Sequence, residues 1–308
     1  LLSIKQNMKP AGEGDPVLNS KKHKFDALTF LAPLTFMLLH AIFLNLAAMG
    51  VVVIYSFVAD ISFSNFSNPE AIERLFLDAQ AQNWASVLLG VVMIPVYLIY
   101  LRYRGRTYPD ILLKESLTPK HWLTGFTSIM GSLGFSMLWI SFLIYLGNTS
   151  TWLKEQYQAY INAVQSLLHV EGYFWLEILA VVIVIPIVEE LLFRGILQGE
   201  VRRVAPPWLA VLMSAVAFAL FHIMPFQIAF VIIPGLVLAL VYELTRNIVI
   251  PIFMHMVYNF FGSGVFSRLV GLPEDSAFLL YAELVFIPIG IVFVIFLIRE
   301  RGKVKAQV

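Results

Sequence analysis

Five ionisable side chains, Glu189, Glu190, Arg194, His222 and His255, fall within one third of a chain whose neighbouring residues are almost all apolar. Two adjacent carboxylates, a guanidinium and two imidazoles are the ingredients of proton-transfer chemistry or of a metal centre. Glu190 and Arg194 are four residues apart, in the acid-before-base order that favours an ion pair along one helix face. Glu189 is rotated from that face by about 100° and cannot share the arginine equally. One carboxylate is therefore neutralised and the other left free. His255 and Asn259 share a helix face in the same way, as do Phe218 and His222. Glu189, His222 and His255 also make up two imidazoles and a carboxylate, a ligand set found in catalytic zinc sites, although no HExxH sequence is present.

The elements that position these groups are membrane helices. Of 308 residues, 59% are apolar and only 13% are charged, about half the charged share of an ordinary soluble domain. The mean hydropathy is +0.80. This composition excludes a disordered chain, an ordinary soluble enzyme and a nucleic-acid binder of the basic-patch type. With no cysteine, disulfides, thiolate nucleophiles and Cys-ligated metals are excluded as well. The fold class read from the sequence is all-α and polytopic. Eight apolar segments are long enough to span or nearly so: about 27–59, 84–101, 122–146, 174–194, 208–224, 226–242, 248–266 and 278–298. The chain opens with Leu1, Met8 is a candidate start, and no signal peptide is expected.

Positive charge orients the bundle. With both termini cytoplasmic, 18 of the 21 Lys and Arg residues fall on the inner side, leaving only Arg74, Lys154 and Arg268 outside. The expected organisation is one membrane domain. Residues 1–26 form an inner tail, 27–172 three spans with amphipathic outer loops, 173–266 the core holding the reactive groups, and 267–308 a last span with a basic tail. The outer stretches 70–79 and 152–168 repeat apolar residues at three- and four-residue steps and are expected to lie on the membrane surface.

An ionisable group inside the hydrocarbon costs about 2.5–3.5 kcal/mol or more, so each one needs a partner, water or a function. Glu177 and Glu283 lie near outer helix ends and are expected to reach the interface. His40 is expected to make a polar contact between helices, and Asn45 likewise. Pro206 and Pro207 break the chain between two spans, with Glu189 17 residues before Pro206 and His222 16 after it, which sets the two at nearly equal depth in an antiparallel hairpin. Pro186 frees a backbone carbonyl and should bend the helix beside the acid. Gly195 and Gly199 form a small-xxx-small pair on the same helix.

Glu189-Glu190-Leu-Leu-Phe-Arg194 resembles the EExxxR motif of the CAAX-protease and bacteriocin-processing (CPBP, Abi) family of intramembrane endopeptidases. Phe218-Ala-Leu-Phe-His222 resembles its FxxxH motif and His255-Met-Val-Tyr-Asn259 its HxxxN motif, in the family's order and each on its own apolar segment. The resemblance covers about residues 175–265. It implies that Glu189 and His222 activate the attacking water, that His255 and Asn259 hold the oxyanion, and that Glu190 and Arg194 orient the site. Phe218 is read as packing. Two donors one helical turn apart can aim at a single oxygen, and one such donor contributes about 3–4 kcal/mol in known hydrolases.

The expected substrate is a peptide or membrane-anchored protein, possibly prenylated, met in a bacterial cell membrane, with the lipid bilayer as the other partner and no nucleic acid. The family is viewed as using a glutamate rather than a metal, so no metal or cofactor is expected, with zinc the chemical rival. A non-proteolytic scaffold or regulator, or a bacteriocin self-immunity protein of the same fold, is the functional alternative. A transporter moving protons on a Glu–His pair is a third reading, but paired inverted halves are not visible.

Overall fold

A computed structural model describes residues 24–62, 66–168, 173–273 and 276–307. The proposed start at Met8 and most of the 1–26 segment lie outside these residues. In chain order the helices are α1 (Leu28–Val58), α2 (Pro69–Asp78), α3 (Ala81–Gly105), α4 (Pro119–Gly147) and α5 (Thr151–Leu168). A composite helix α6 (174–204) follows, then α7 (Pro207–Leu220), α8 (Pro225–Thr245), α9 (Val249–Gly262), the short α10 (Val265–Val270) and α11 (Ala277–Gln307).

Each of the eight apolar segments is helical, but they are not eight equal rods. Five helices, α1, α3, α4, α8 and α11, are long and apolar enough to cross a membrane. Helices α7 and α9 have 14 residues each, about 21 Å against a hydrocarbon core of about 30 Å. The chain is a polytopic membrane protein. On α3, the partly exposed Trp84 and Tyr103 are 19 residues apart, about 28 Å at 1.5 Å per residue, which matches the spacing of the two membrane interfaces.

Two expectations about individual elements change. The segment expected to span 208–224 stops being helical at Leu220, because Ile223 adopts a positive φ of 64° and Met224 is extended ahead of Pro225, the first residue of α8. His222 therefore stands in a tight turn rather than on a helix. A β-branched residue in the left-handed region costs about 1–3 kcal/mol, so packing on both sides must hold this turn. The amphipathic stretches 70–79 and 152–168 do form helices, but they bury their apolar faces on protein as well. Leu75 of α2 joins Ala48, Val52, Ala81 and Ala85 in a buried cluster, while Tyr157 and Tyr160 of α5 stack on Phe226 of α8 at 5.1 and 5.6 Å.

Small residues allow two close approaches. A Cβ on Gly134 of α4 would lie 2.6 Å from the Glu283 carbonyl of α11, and one on Gly199 would lie 2.2 Å from the Ile111 carbonyl. The glycine pair noted on α6 thus makes room for the 109–113 loop crossing over it.

Charged groups tie one end of the bundle together. The fully buried Glu200 receives Arg104 through Nε and Nη2 at 2.6 and 2.7 Å and the Tyr100 hydroxyl at 2.6 Å. Arg203 adds a contact to Glu200 at 3.3 Å and one to Asp26 at 3.1 Å. Nearby, Glu115 pairs with Arg246 and Arg301, and Arg202 pairs with Glu243 at 3.0 Å.

Glu200→Leu leaves two buried guanidiniums short of their carboxylate and should cost about 3–5 kcal/mol in detergent unfolding, whereas Lys120→Ala, at the exposed Lys120–Glu300 bridge, should change stability by about 0–1 kcal/mol. Burial pushes the Glu115 carboxyl up, but Arg301 and Arg246 more than offset this and hold it below its ordinary 4.5. Its contribution is thus present above that value and lost as pH falls through the lower, folded-state value. Melting curves of wild type and Glu115→Gln should differ near neutral pH and converge in acid.

Candidate active site

The site is built on a distorted stretch of α6. Residues Ile178–Val184 and Leu191–Gln198 are π-helical, on either side of an α-helical Ile185–Glu190. Single π turns inside α-helices recur at functional sites. At the first of them the Ile185 N–H bonds to the Ala180 carbonyl, one residue further back than in an α-helix. The next residue, Pro186, has no N–H to give to Val181. The carbonyl expected to be freed by this proline is therefore that of Val181, and the side-chain Nδ2 of Asn259 on α9 donates to it at 2.8 Å. Of the two N–H groups on Asn259, one is thus spent on the backbone of α6.

Glu190 and Arg194 pair as their spacing predicts, Nη1 to Oε1 at 2.6 Å, with neither side chain exposed at all. The guanidinium also donates from Nη2 to the Gly235 carbonyl of α8 at 3.1 Å and lies 4.5 Å above the Phe218 ring. Phe218 does more than fill space. Its ring meets His222 edge-on at 5.1 Å and His255 at 5.6 Å, so one aromatic ring contacts the arginine and both imidazoles.

Both histidines are fixed through Nδ1. His255 Nδ1 lies 2.8 Å from Glu190 Oε1. That oxygen already accepts from Arg194, so it accepts here too, and Nδ1 carries the proton. His255 Nε2 then faces Glu189 Oε2 at 3.7 Å, beyond direct hydrogen-bond distance. His222 Nδ1 donates to the Phe218 carbonyl at 2.9 Å, leaving its Nε2 as the atom available for other work. This is the bond of a structurally satisfied histidine, and it also sets the tautomer.

Glu189, Phe218, His222, His255 and Asn259 all line one cavity of about 1050 Å³. Arg194 takes Glu190 rather than Glu189 as its carboxylate partner, so the two neighbouring acids are separated as the rotation argument requires. Among the described residues, no group of three or more His, Asp or Glu side chains is arranged to hold a metal ion.

Other polar groups divide between the expected and the unexpected. His40 is buried between helices and meets the Tyr97 hydroxyl at 3.3 Å, the polar contact expected of it, whereas Asn45 bonds the Ala41 carbonyl of its own helix. Glu177, near the start of α6, pairs with Arg268 of α10 through Oε2 at 2.9 Å. Glu283, near the start of α11, is 5% exposed, its Oε2 has no hydrogen-bond partner among the described residues, and it lines the cavity. Only its apolar surroundings marked it in the sequence.

Fold and cavity together define an integral membrane protein with a carboxylate, two imidazoles and an amide around a buried chamber. Residues 171–261, which contain all three motifs, match the family model described as type II CAAX prenyl endopeptidase Rce1-like, and on that segment the resemblance holds. The Bacillus subtilis protein named "Putative membrane peptidase YdiL" is 28% identical over 137 residues, 42% of this chain and 56% of that relative. The match therefore spans little more than half of the relative's length. No solved structure matches the chain.

Asn259→Asp keeps the side chain's size but sets a carboxylate oxygen against the Val181 carbonyl. It should lose about 1–3 kcal/mol of unfolding stability, while Asn259→Gln, still a donor, should lose less. Equal melting temperatures for wild type and Asn259→Asp would remove this bond from the account.

Proposed function

We propose that the chain is an intramembrane endopeptidase in which Glu189 activates a water molecule against a peptide bond of a membrane-associated substrate. The observation that carries this reading is the division of labour between two adjacent acids: Glu190 is bound by Arg194 and His255, while Glu189 faces the cavity. The catalytic core is the 173–266 region. The eight apolar segments make eight passes, with both termini on the basic, cytoplasmic side of a bacterial cell membrane.

In this mechanism Glu189 takes a proton from the water as its oxygen bonds to the scissile carbonyl carbon. His222, with Nδ1 held by the Phe218 carbonyl, turns Nε2 toward the same water. The tetrahedral intermediate places negative charge on the former carbonyl oxygen. Asn259 offers its second N–H to that oxygen. His255 can donate from Nε2 only as the imidazolium, because the neutral ring keeps its single proton on Nδ1 against Glu190. Collapse breaks the C–N bond, and the proton held by Glu189 passes to the leaving amine. Glu190 and Arg194 touch no reacting atom and position His255 and Phe218.

Removing the general base should lower turnover by about 10²–10⁴-fold. Comparative proteomics of wild-type and Glu189→Ala cells should reveal cleavage products absent from the variant. If both cells carry the same new termini, the proteolytic reading fails. If the cellular phenotype persists in Glu189→Gln, the non-proteolytic scaffold, regulator or self-immunity role takes its place. Activity surviving prolonged chelation, with no stoichiometric metal in the purified protein, is expected; loss that zinc restores would move Glu189, His222 and His255 into a metal site.

A further inference from the structure

The cavity has a direction. Besides Glu189 and the two imidazoles, its walls include Gln80 and Asn83 at the start of α3, Glu177 near the start of α6, Arg268 on α10, and Ser276 and Glu283 at the start of α11. In an up-and-down bundle these are all the same end. No wall residue comes from the opposite end, where Arg104, Glu200, Arg203, Arg246 and Arg301 gather.

Among the described residues that opposite end also holds most of the Lys and Arg side chains, Arg194 sits in the core, and the cavity end holds Arg74, Lys154 and Arg268, the last paired with Glu177. Basic ends are retained in the cytoplasm. Near the mouth the walls are mixed: Gln80, Asn83, Glu177, Ser276 and Glu283 stand among apolar residues such as Phe76, Phe174 and Leu280, so water has polar partners along the way in. At about 1050 Å³ the chamber lies at the upper end of the range of about 300–1,000 Å³ usual for ligand sites, large enough to admit a peptide segment.

We propose that this site receives its substrate from the outer face of the membrane. The substrate class is a membrane-anchored or exported peptide whose scissile segment lies outside the cytoplasm, not a carboxyl-terminal tail presented from within. The word "scissile" rests on the proteolytic reading above; the direction of access does not.

The chain has no cysteine, so single-cysteine variants of the full chain can be labelled in intact cells. Asn83→Cys marks the mouth, Tyr258→Cys a wall deeper in the chamber, and Lys120→Cys the exposed opposite end. A membrane-impermeant maleimide should label Asn83→Cys in intact cells and Lys120→Cys only after permeabilisation. A small charged methanethiosulfonate should reach Tyr258→Cys from outside. Reversal of the maleimide pattern, or modification of Tyr258→Cys from the cytoplasmic face alone or from neither face, overturns the inference. Should Tyr258→Cys fail to accumulate, Ser263→Cys, on the same chamber wall, replaces it. The cleavage products then separate the two claims. New termini on extracytoplasmic segments agree with both, cytoplasmic termini contradict the direction alone, and no termini with the expected labelling contradict proteolysis alone.

Discussion

A guanidinium with no exposed surface, held among apolar helices, is the constraint around which the core is arranged. Arginine does not give up its proton in a protein, and an unpaired charge at that depth costs several kcal/mol. Arg194 is accordingly surrounded by Glu190 on its own helix, the Gly235 carbonyl on α8 and the Phe218 face on α7. Glu190 then uses the same oxygen to hold His255 on α9. Four helices are fixed to one another by one charge and its neighbours. The pair's value to the protein is therefore positional as well as energetic, because it decides which acid is consumed and which faces the chamber.

A second constraint comes from the backbone. Pro186 removes one N–H from α6, the ladder shifts to π geometry, and the stranded Val181 carbonyl is met by Asn259. The amide assigned to the oxyanion thus also secures the helix that carries Glu189. Distortion and chemistry are joined at this point, so the site tolerates little change at either residue.

Much of this was legible in the sequence, for specific reasons. The Glu190–Arg194 pair follows from four-residue spacing and the separation of Glu189 from a 100° rotation; counting residues on either side of Pro206 set Glu189 and His222 at nearly equal depth, and both line the chamber. The freed carbonyl beside Pro186 was legible as well, though not its identity, because α-helical counting points one residue away from the π-helical acceptor. His222 was expected on a helix; the turn that holds it depends on Ile223 adopting a conformation its own type disfavours, which only tertiary packing can impose. The faces of α2 and α5 were read as lipid-facing because apolar periodicity does not say whether lipid or protein covers a face. That Glu283 lines the chamber was not legible either, since depth along a helix does not fix which way a side chain turns.

The central claim is that two neighbouring glutamates do different jobs, one holding the fold and the other moving the proton. It is tested most directly by purifying Glu189→Gln and Glu190→Gln side by side and measuring melting temperature and peptide turnover on the same samples. The account predicts that Glu189→Gln melts close to wild type with turnover lost, and that Glu190→Gln melts well below wild type. A Glu189→Gln protein that still turns over at the wild-type rate, or a Glu190→Gln protein as stable as wild type, would contradict it.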